Sequence, residues 1–411
     1  MTARILEGDC RDVLRTLDAE SFDSVVTDPP YGINFMGKAW DRKHIIEQVE
    51  RRAGQAQPLH RDGSERRSPR RALAEEAGAY DLSPAGMRAF QNWTAEWAEQ
   101  AFRVLKPGGF LLCFASTRTY HRMACGLEDA GFEIRDQIGW LFGSGFPKNR
   151  DFAKDHAASK AAGQRIVLAE FVGHPQSTGW GTALKPGWEP IAVARKPFKG
   201  PVGANVLKHG TGALNISGCF VGETDDGRWP ANVVHDGSDE VLAAFPTAPG
   251  QQGDLTGQSK ERKSHGIFGD MPAARNALAR GDSGSAARFF YCAKASKADR
   301  EAGCEGLPVK RGGMVSNTSG QHITRRDGGE PGERANHHPT VKPTALMRWL
   351  CRLVTPPGGI ILDPFAGSGS TGRAADIEGF SATLIEEDAE YAAIARNRIS
   401  GDAPLFAEVA A

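Results

Sequence analysis

Two short tracts near opposite ends of this 411-residue chain constrain its fold most: Asp28-Pro29-Pro30-Tyr31 and Asp363-Pro364-Phe365-Ala366-Gly367-Ser368-Gly369-Ser370-Thr371. Each follows an apolar, β-type run, Ser24 to Thr27 in the first case and Gly359 to Leu362 in the second. A buried parallel strand delivers the residues after it to the carboxyl edge of its sheet, where open α/β sheets bind ligands. The expected fold class is therefore α/β, with a doubly wound, mostly parallel, Rossmann-like sheet. The later tract reads as a cofactor loop and the earlier one as a reaction loop.

The pattern between the tracts supports such a sheet. Strands are expected at Arg4 to Glu7, Asp23 to Thr27, Phe110 to Phe114, Phe132 to Leu141, Pro190 to Ala194, Ile360 to Leu362 and Ser381 to Ile385. Helices are expected at Arg11 to Leu17, Gln91 to Leu105, Tyr120 to Ala130, Thr344 to Val354 and Ala389 to Ile399. Trp93, Trp97, Phe102 and Leu105 recur at helical spacing, so the two tryptophans read as core residues of an amphipathic helix. Lys106-Pro107-Gly108-Gly109 is expected to stop that helix before the next strand, and Pro356-Pro357-Gly358-Gly359 repeats the device near the end. Two helix–Pro-Gly-Gly–strand units suit helices returning over both faces of one sheet.

Two intervals read as lying outside that sheet. Residues 41–79 carry arginines at 51, 52, 61, 66, 67, 70 and 71 with few large apolar residues, the pattern of a solvated insertion or a clamp on phosphates. From Lys196 to His337 the chain is rich in Gly and Asn, with apolar islands at Val202 to Leu207, Trp229 to Val234 and Arg288 to Cys292. The expected division is 1–195 as an N-terminal catalytic half containing the insertion, 196–336 as an irregular inserted domain, and 337–411 as a C-terminal cofactor-binding part.

Bulk properties exclude several classes. Lys plus Arg balances Asp plus Glu at 50 each, so attraction to nucleic acid must come from local patches. No stretch approaches the ~20 apolar residues of a membrane helix, and the first residues lack the apolar core of a signal peptide. The seven cysteines are scattered without a Cys-x-x-Cys spacing, which points to reduced thiols in a cytoplasm. Cys292, Cys304, His337 and His338 are too irregularly spaced to read as a metal site, and none is expected.

The two tracts also carry readable chemistry. Gly367 and Gly369 lack a Cβ, so the loop can turn sharply and let a ligand lie against backbone amides at a helix start. Asp363 can take up a cationic group, and Glu386, after the next strand, stands where acidic residues grip ribose hydroxyls. A glycine-rich turn alone is weak evidence; strand, loop, helix, strand and Glu386 together mark a nucleotide-like ligand. In the first tract, Pro29 and Pro30 fix φ and donate no N–H. Asp28 and the Pro29 carbonyl can then accept both hydrogens of an exocyclic amine, while Tyr31 offers a face for a base. An aromatic amine is a poor nucleophile, because its lone pair is delocalised. Two acceptors pull it toward tetrahedral geometry and free that lone pair.

Asp28-Pro29-Pro30-Tyr31, His338-Pro339-Thr340-Val341-Lys342-Pro343 and the Phe-Ala-Gly-Ser-Gly-Ser loop, in that order, resemble the β-type, circularly permuted DNA amino-methyltransferases, in particular phage-like bacterial members. The likeness spans roughly residues 4–36, 90–195 and 337–400. It implies S-adenosyl-L-methionine as cofactor, double-stranded DNA as substrate and a target-recognition role for residues 196–336. A homodimer and a cognate restriction enzyme are partners it leaves open. By the same resemblance Asp28, Pro29, Pro30 and Tyr31 are catalytic, Asp9 reads the cofactor's adenine and Glu386 its ribose. Thr340 and Lys342 would lie beside its methionine end, with Asp363, Phe365, Gly367, Ser368 and Gly369 completing the cofactor site. Glu189-Pro190-Ile191 and Ala194-Arg195-Lys196-Pro197 resemble the strand that precedes the recognition domain in those relatives. Asp rather than Ser at 28 favours adenine N6 as the methylated atom, with cytosine N4 as the alternative and a catalytically idle DNA-binding regulator as a more distant one.

Overall fold

Apolar runs buried on both faces set the architecture. In β2 (Phe22–Thr27), which follows β1 (Ala3–Glu7), Val25 packs into one core and Val26 into the other. The remaining strands of the main sheet are β3 (Leu105–Phe114), β4 (Glu133–Leu141), β5 (Trp188–Arg195), β6 (Val233–His235), β7 (Tyr291–Cys292), β8 (Ile360–Asp363) and β9 (Ser381–Glu386). The computed structural model describes residues 3–33, 41, 82–143, 145, 180, 183–222, 227–250, 282–294, 297–311 and 333–400. The arginine-rich stretch after Asp41 lies outside the described residues.

The nine strands run in the order β1-β9-β8-β2-β3-β5-β4-β6-β7. Every neighbouring pair is parallel except those made by β5, which is antiparallel to both β3 and β4. The sheet is therefore mostly parallel, as expected. The two C-terminal strands lie between β1 and β2, which sets Asp28 and Asp363 side by side at one edge.

Helices cover both faces. α1 (Cys10–Arg15), α2 (Pro84–Val104) and α3 (Tyr120–Asp129) bury Leu14, Trp97, Ala101, Met123 and Leu127 against one face. Ser83 starts α2 by accepting from the Gly86 amide, with Pro84 at the first helical position. α4 (Val202–His209) and α5 (Lys297–Glu301) lie in the middle interval. α6 (Thr344–Val354) and α7 (Ser370–Glu378) pack Leu346, Trp349, Leu350, Ala374 and Ala375 on the other face, and α8 (Ala389–Ser400) is the last described element.

Two expectations need correction. Lys106 to Gly109 does not separate α2 from its strand: β3 starts at Leu105, and its pairing to β2 jumps from Phe22↔Leu105 to Ser24↔Phe110. Lys106 reaches back to Asp23 at 2.6 Å, which ties this irregular start to β2. The interval from Lys196 to His337 is not wholly outside the sheet either, since β6 and β7 extend its far edge beyond β4. These strands are three and two residues long, too short for an alternating pattern to register. Tyr291 stacks on Trp349 of α6 with centroids 5.4 Å apart, which fastens this interval to the sheet's helical layer.

Candidate active site

One cavity of about 970 Å³ opens at the carboxyl edge of the sheet. Its lining includes Asp9 after β1, Asp28 to Tyr31 after β2, Thr117 after β3, Phe142 after β4, Asp363 to Ser368 after β8 and Glu386 at the end of β9. Because β5 runs the opposite way, its beginning reaches this edge, and Trp188 and Glu189 line the same cavity. Thr340 and Lys342, from the segment before α6, complete the set of sequence-derived residues there.

The hook is a bonded cluster. Tyr31 Oη donates to Asp28 Oδ1 at 2.8 Å and lies 3.3 Å from Glu189 Oε2. Lys342 Nζ donates to Asp28 Oδ2 at 2.6 Å and stands 3.5 Å from Glu189. It also sits 4.8 Å from the centre of the Phe114 ring. Burial, reinforced by the Asp28 charge, raises the Tyr31 hydroxyl well above its usual range. For Lys342, burial pulls downward, but Asp28 and Glu189 outweigh it and the ammonium stays charged. Glu189 is the partner that sequence reading missed. The loop after Tyr31 is held by Asp41, which accepts from the Gly32 and Ile33 amides at 2.8 and 3.2 Å.

The glycine loop is braced from two sides. Thr27 Oγ1 donates to Asp363 Oδ1 at 2.6 Å, and the Phe365 amide donates to the same oxygen at 3.0 Å. The Gly367 amide donates to Glu386 Oε2 at 2.7 Å. Phe365 packs edge-on to Trp97, 5.3 Å between centroids, and tilts against Trp93, so both tryptophans are core residues, as read. Gly367 has φ of 53°, and a Cβ there would meet His338 Nε2 at 2.9 Å. Gly369 does not line the cavity; with φ of 79° it accommodates α8, where a Cβ would lie 3.0 Å from Ala395 Cα. Ser368 is gripped by buried Arg398, which donates to its carbonyl at 2.6 Å.

Two acids at this loop, Asp363 at its start and Glu386 at the end of β9, are charged only reluctantly. Burial raises Asp363 to about 6 and Glu386 to about 7, against opposing hydrogen bonds from hydroxyls and amides. Among the described residues neither bonds a cationic side chain, a donor set that fits a cationic ligand. Asp9 is differently placed: both its oxygens are engaged by Arg11, at 3.2 and 3.0 Å from the guanidinium. Among the described residues no cluster of three metal-ligating side chains is arranged around a common point. No helix among them is long and apolar enough to cross a membrane.

Residues 22–397 match the family model described as DNA methylase, N6_N4_Mtase, over nearly the whole fold. The chain belongs to this DNA methylase family. Among curated relatives, this chain is 29% identical over 210 residues to the Type II methyltransferase M.HindIII of Haemophilus influenzae, covering 49% of this chain and 61% of that one. It is 41% identical over 68 residues to the Type II methyltransferase M2.DpnII of Streptococcus pneumoniae, covering 16% and 25%. The match thus spans less than two thirds of either relative. Among solved structures, PvuII DNA methyltransferase (cytosine-N4-specific) aligns over 97% of this chain and 86% of that one, at 12% identity and a TM-score of 0.45. The M1.HpyAVI–SAM complex aligns over 97% and 99%, at 16% identity and a TM-score of 0.39. At scores below 0.5 these two are likenesses only.

Proposed function

We propose that this methylase transfers a methyl group from S-adenosyl-L-methionine to the N6 amine of adenine in double-stranded DNA. The observation that carries the reading is that the amine hook and the two acids lacking a cationic partner open into one cavity. When bound, the cofactor supplies an activated methyl group on a cationic sulfonium. Asp363 and Glu386 suit its cationic and hydroxyl-bearing parts, with the Gly367 loop and Thr340 beside it and Asp9 toward its adenine. The target base must leave the stack, because its amine is unreachable inside a duplex. Asp28 and the Pro29 carbonyl then accept the two amine hydrogens, with Pro29 and Pro30 fixing the loop and Tyr31 facing the base. Lys342 is engaged with Asp28, so its work falls to the hook more than to the cofactor. Positioning supplies most of the rate, since two bound reactants replace a bimolecular encounter.

Residues 196–336 are proposed to choose the DNA sequence. Their attachment through β6 beside β4, whose following residue Phe142 lines the cavity, supports this. The Type II names of the curated relatives support a restriction–modification setting. Adenine over cytosine rests on Asp at 28. Duplex DNA treated with the protein and cofactor, digested to nucleosides and analysed by mass spectrometry, is expected to contain N6-methyladenine. Dominant N4-methylcytosine would refute the adenine assignment, and no methylated base would refute the enzyme reading.

A further inference from the structure

The cluster built around the hook holds two carboxylates and one fixed cation. Asp28 and Glu189 are joined twice, once through Tyr31 Oη at 2.8 and 3.3 Å and once through Lys342 Nζ at 2.6 and 3.5 Å. With both acids ionised the cluster carries one net negative charge. Methyl transfer to a neutral amine creates one positive charge on that amine, beside Asp28. A preorganised negative charge where positive charge develops is worth most in a site shielded from water.

We propose that Glu189 is the second carboxylate of the amine site: ionised during transfer, it stabilises the developing charge, and through Tyr31 it takes up the proton that the amine then sheds. This rests on the amine-methylation reading above. The proton path balances. The amine N–H breaks and Asp28 Oδ1 gains the proton. Asp28 passes it to the Tyr31 oxygen as Tyr31 gives its own proton to Glu189 Oε2. The tyrosine ends unchanged, and the net result is one N–H broken and one Glu189 O–H formed. Lys342 keeps its protons, because it stands between two carboxylates. A quarter of the Glu189 side chain is open to solvent, against 6% of Lys342, so the proton leaves to water from Glu189.

The surroundings of Glu189 suit the role. Asp28 and Tyr31 face it from the loop after β2, and Lys342 faces it from the segment before α6. Burial, the largest influence, raises its carboxyl above the ordinary glutamate range; the Lys342 ammonium opposes this and the Asp28 charge adds to it. Glu189 is thus a stronger base than an exposed glutamate, and it protonates as pH falls.

The test is kcat and KM against pH for the full chain with a duplex substrate and S-adenosylmethionine. In the wild type, kcat should fall on the acid side as Glu189 protonates. Glu189→Gln keeps the shape and removes the charge, so kcat should drop by about 100-fold or more, the lower end of the range of proton-transfer catalysis. KM for DNA and for cofactor should change little, and the acid limb should flatten. Glu189→Asp should restore part of the rate with its limb at lower pH; this variant carries the test if the Gln variant fails to fold. Wild-type kcat in Glu189→Gln, or a lowered kcat with the acid limb unchanged, overturns the proposal. A wild-type protein that methylates no DNA base overturns the amine-methylation reading and this proposal with it.

Discussion

Asp363→Asn should make the ligand-free protein more stable and a worse binder. Asp363 is 2% exposed, and burial raises its carboxyl from the usual 3.8 to about 6. Above pH 6 the folded chain carries a buried charge that the unfolded chain would hold in water. At about 1.4 kcal/mol per pH unit, that costs the folded state about 3 kcal/mol at pH 8. The cost shrinks as pH falls through 6, is about half as large at pH 5, and vanishes below the unfolded value of 3.8. Asparagine keeps an oxygen for Thr27 Oγ1 and the Phe365 amide and carries no charge. Urea unfolding at pH 8 should therefore show a gain of about 1–3 kcal/mol, and at pH 5 roughly half of it. Calorimetric titration with S-adenosylmethionine should show at least about a tenfold loss of affinity, the size of one charge-assisted hydrogen bond. A variant less stable than wild type at pH 8, or a gain that ignores pH, would refute the reasoning. Normal cofactor affinity would place the cationic group away from Asp363.

The two loop glycines should separate binding from folding. Gly367→Val drives a branched side chain into His338 on the cavity wall and should weaken cofactor binding by about tenfold or more, read by calorimetry. Gly369→Ala crowds Ala395 of α8 instead and should lower stability by about 1–3 kcal/mol in urea unfolding with cofactor affinity nearly intact. Lys342→Met leaves Asp28 and Glu189 facing each other without a cation; a loss of about 3–5 kcal/mol and of methylation is expected, and normal stability with normal turnover would sink the cluster as described.

The parts of this molecule that were legible in its sequence are those written in contiguous residues. Val25 and Val26 could be read as a buried strand because a strand inside a parallel sheet is apolar on both faces. The hook and the glycine loop follow such strands directly, so their place at the sheet edge came with the strand assignment. β6 and β7 carried no comparable signal, because pairings of three and two residues are decided by what lies beside them. Gly367 and Gly369 show a second limit. Both have positive φ and both look like ligand-facing positions in a glycine-rich loop. Only tertiary packing distinguishes the one that faces His338 and the cavity from the one that lets α8 approach.

Glu189 shows how direction along the sheet decides function. Had β5 run parallel to its neighbours, its first residues would have stood at the opposite edge, away from the cavity. Reversal brings Trp188 and Glu189 to the carboxyl edge and sends Arg195 away from it. The apolar pattern begins this strand at Pro190 and the family resemblance already includes Glu189 in it, but neither gives Glu189 a place at the site. The partners of Glu189 lie 158 residues away in one direction and 153 in the other, at Tyr31 and Lys342. No local spacing encodes such a meeting. It follows from one antiparallel strand in an otherwise parallel sheet, and that strand sets beside the hook a second acid that the four residues of the hook do not contain.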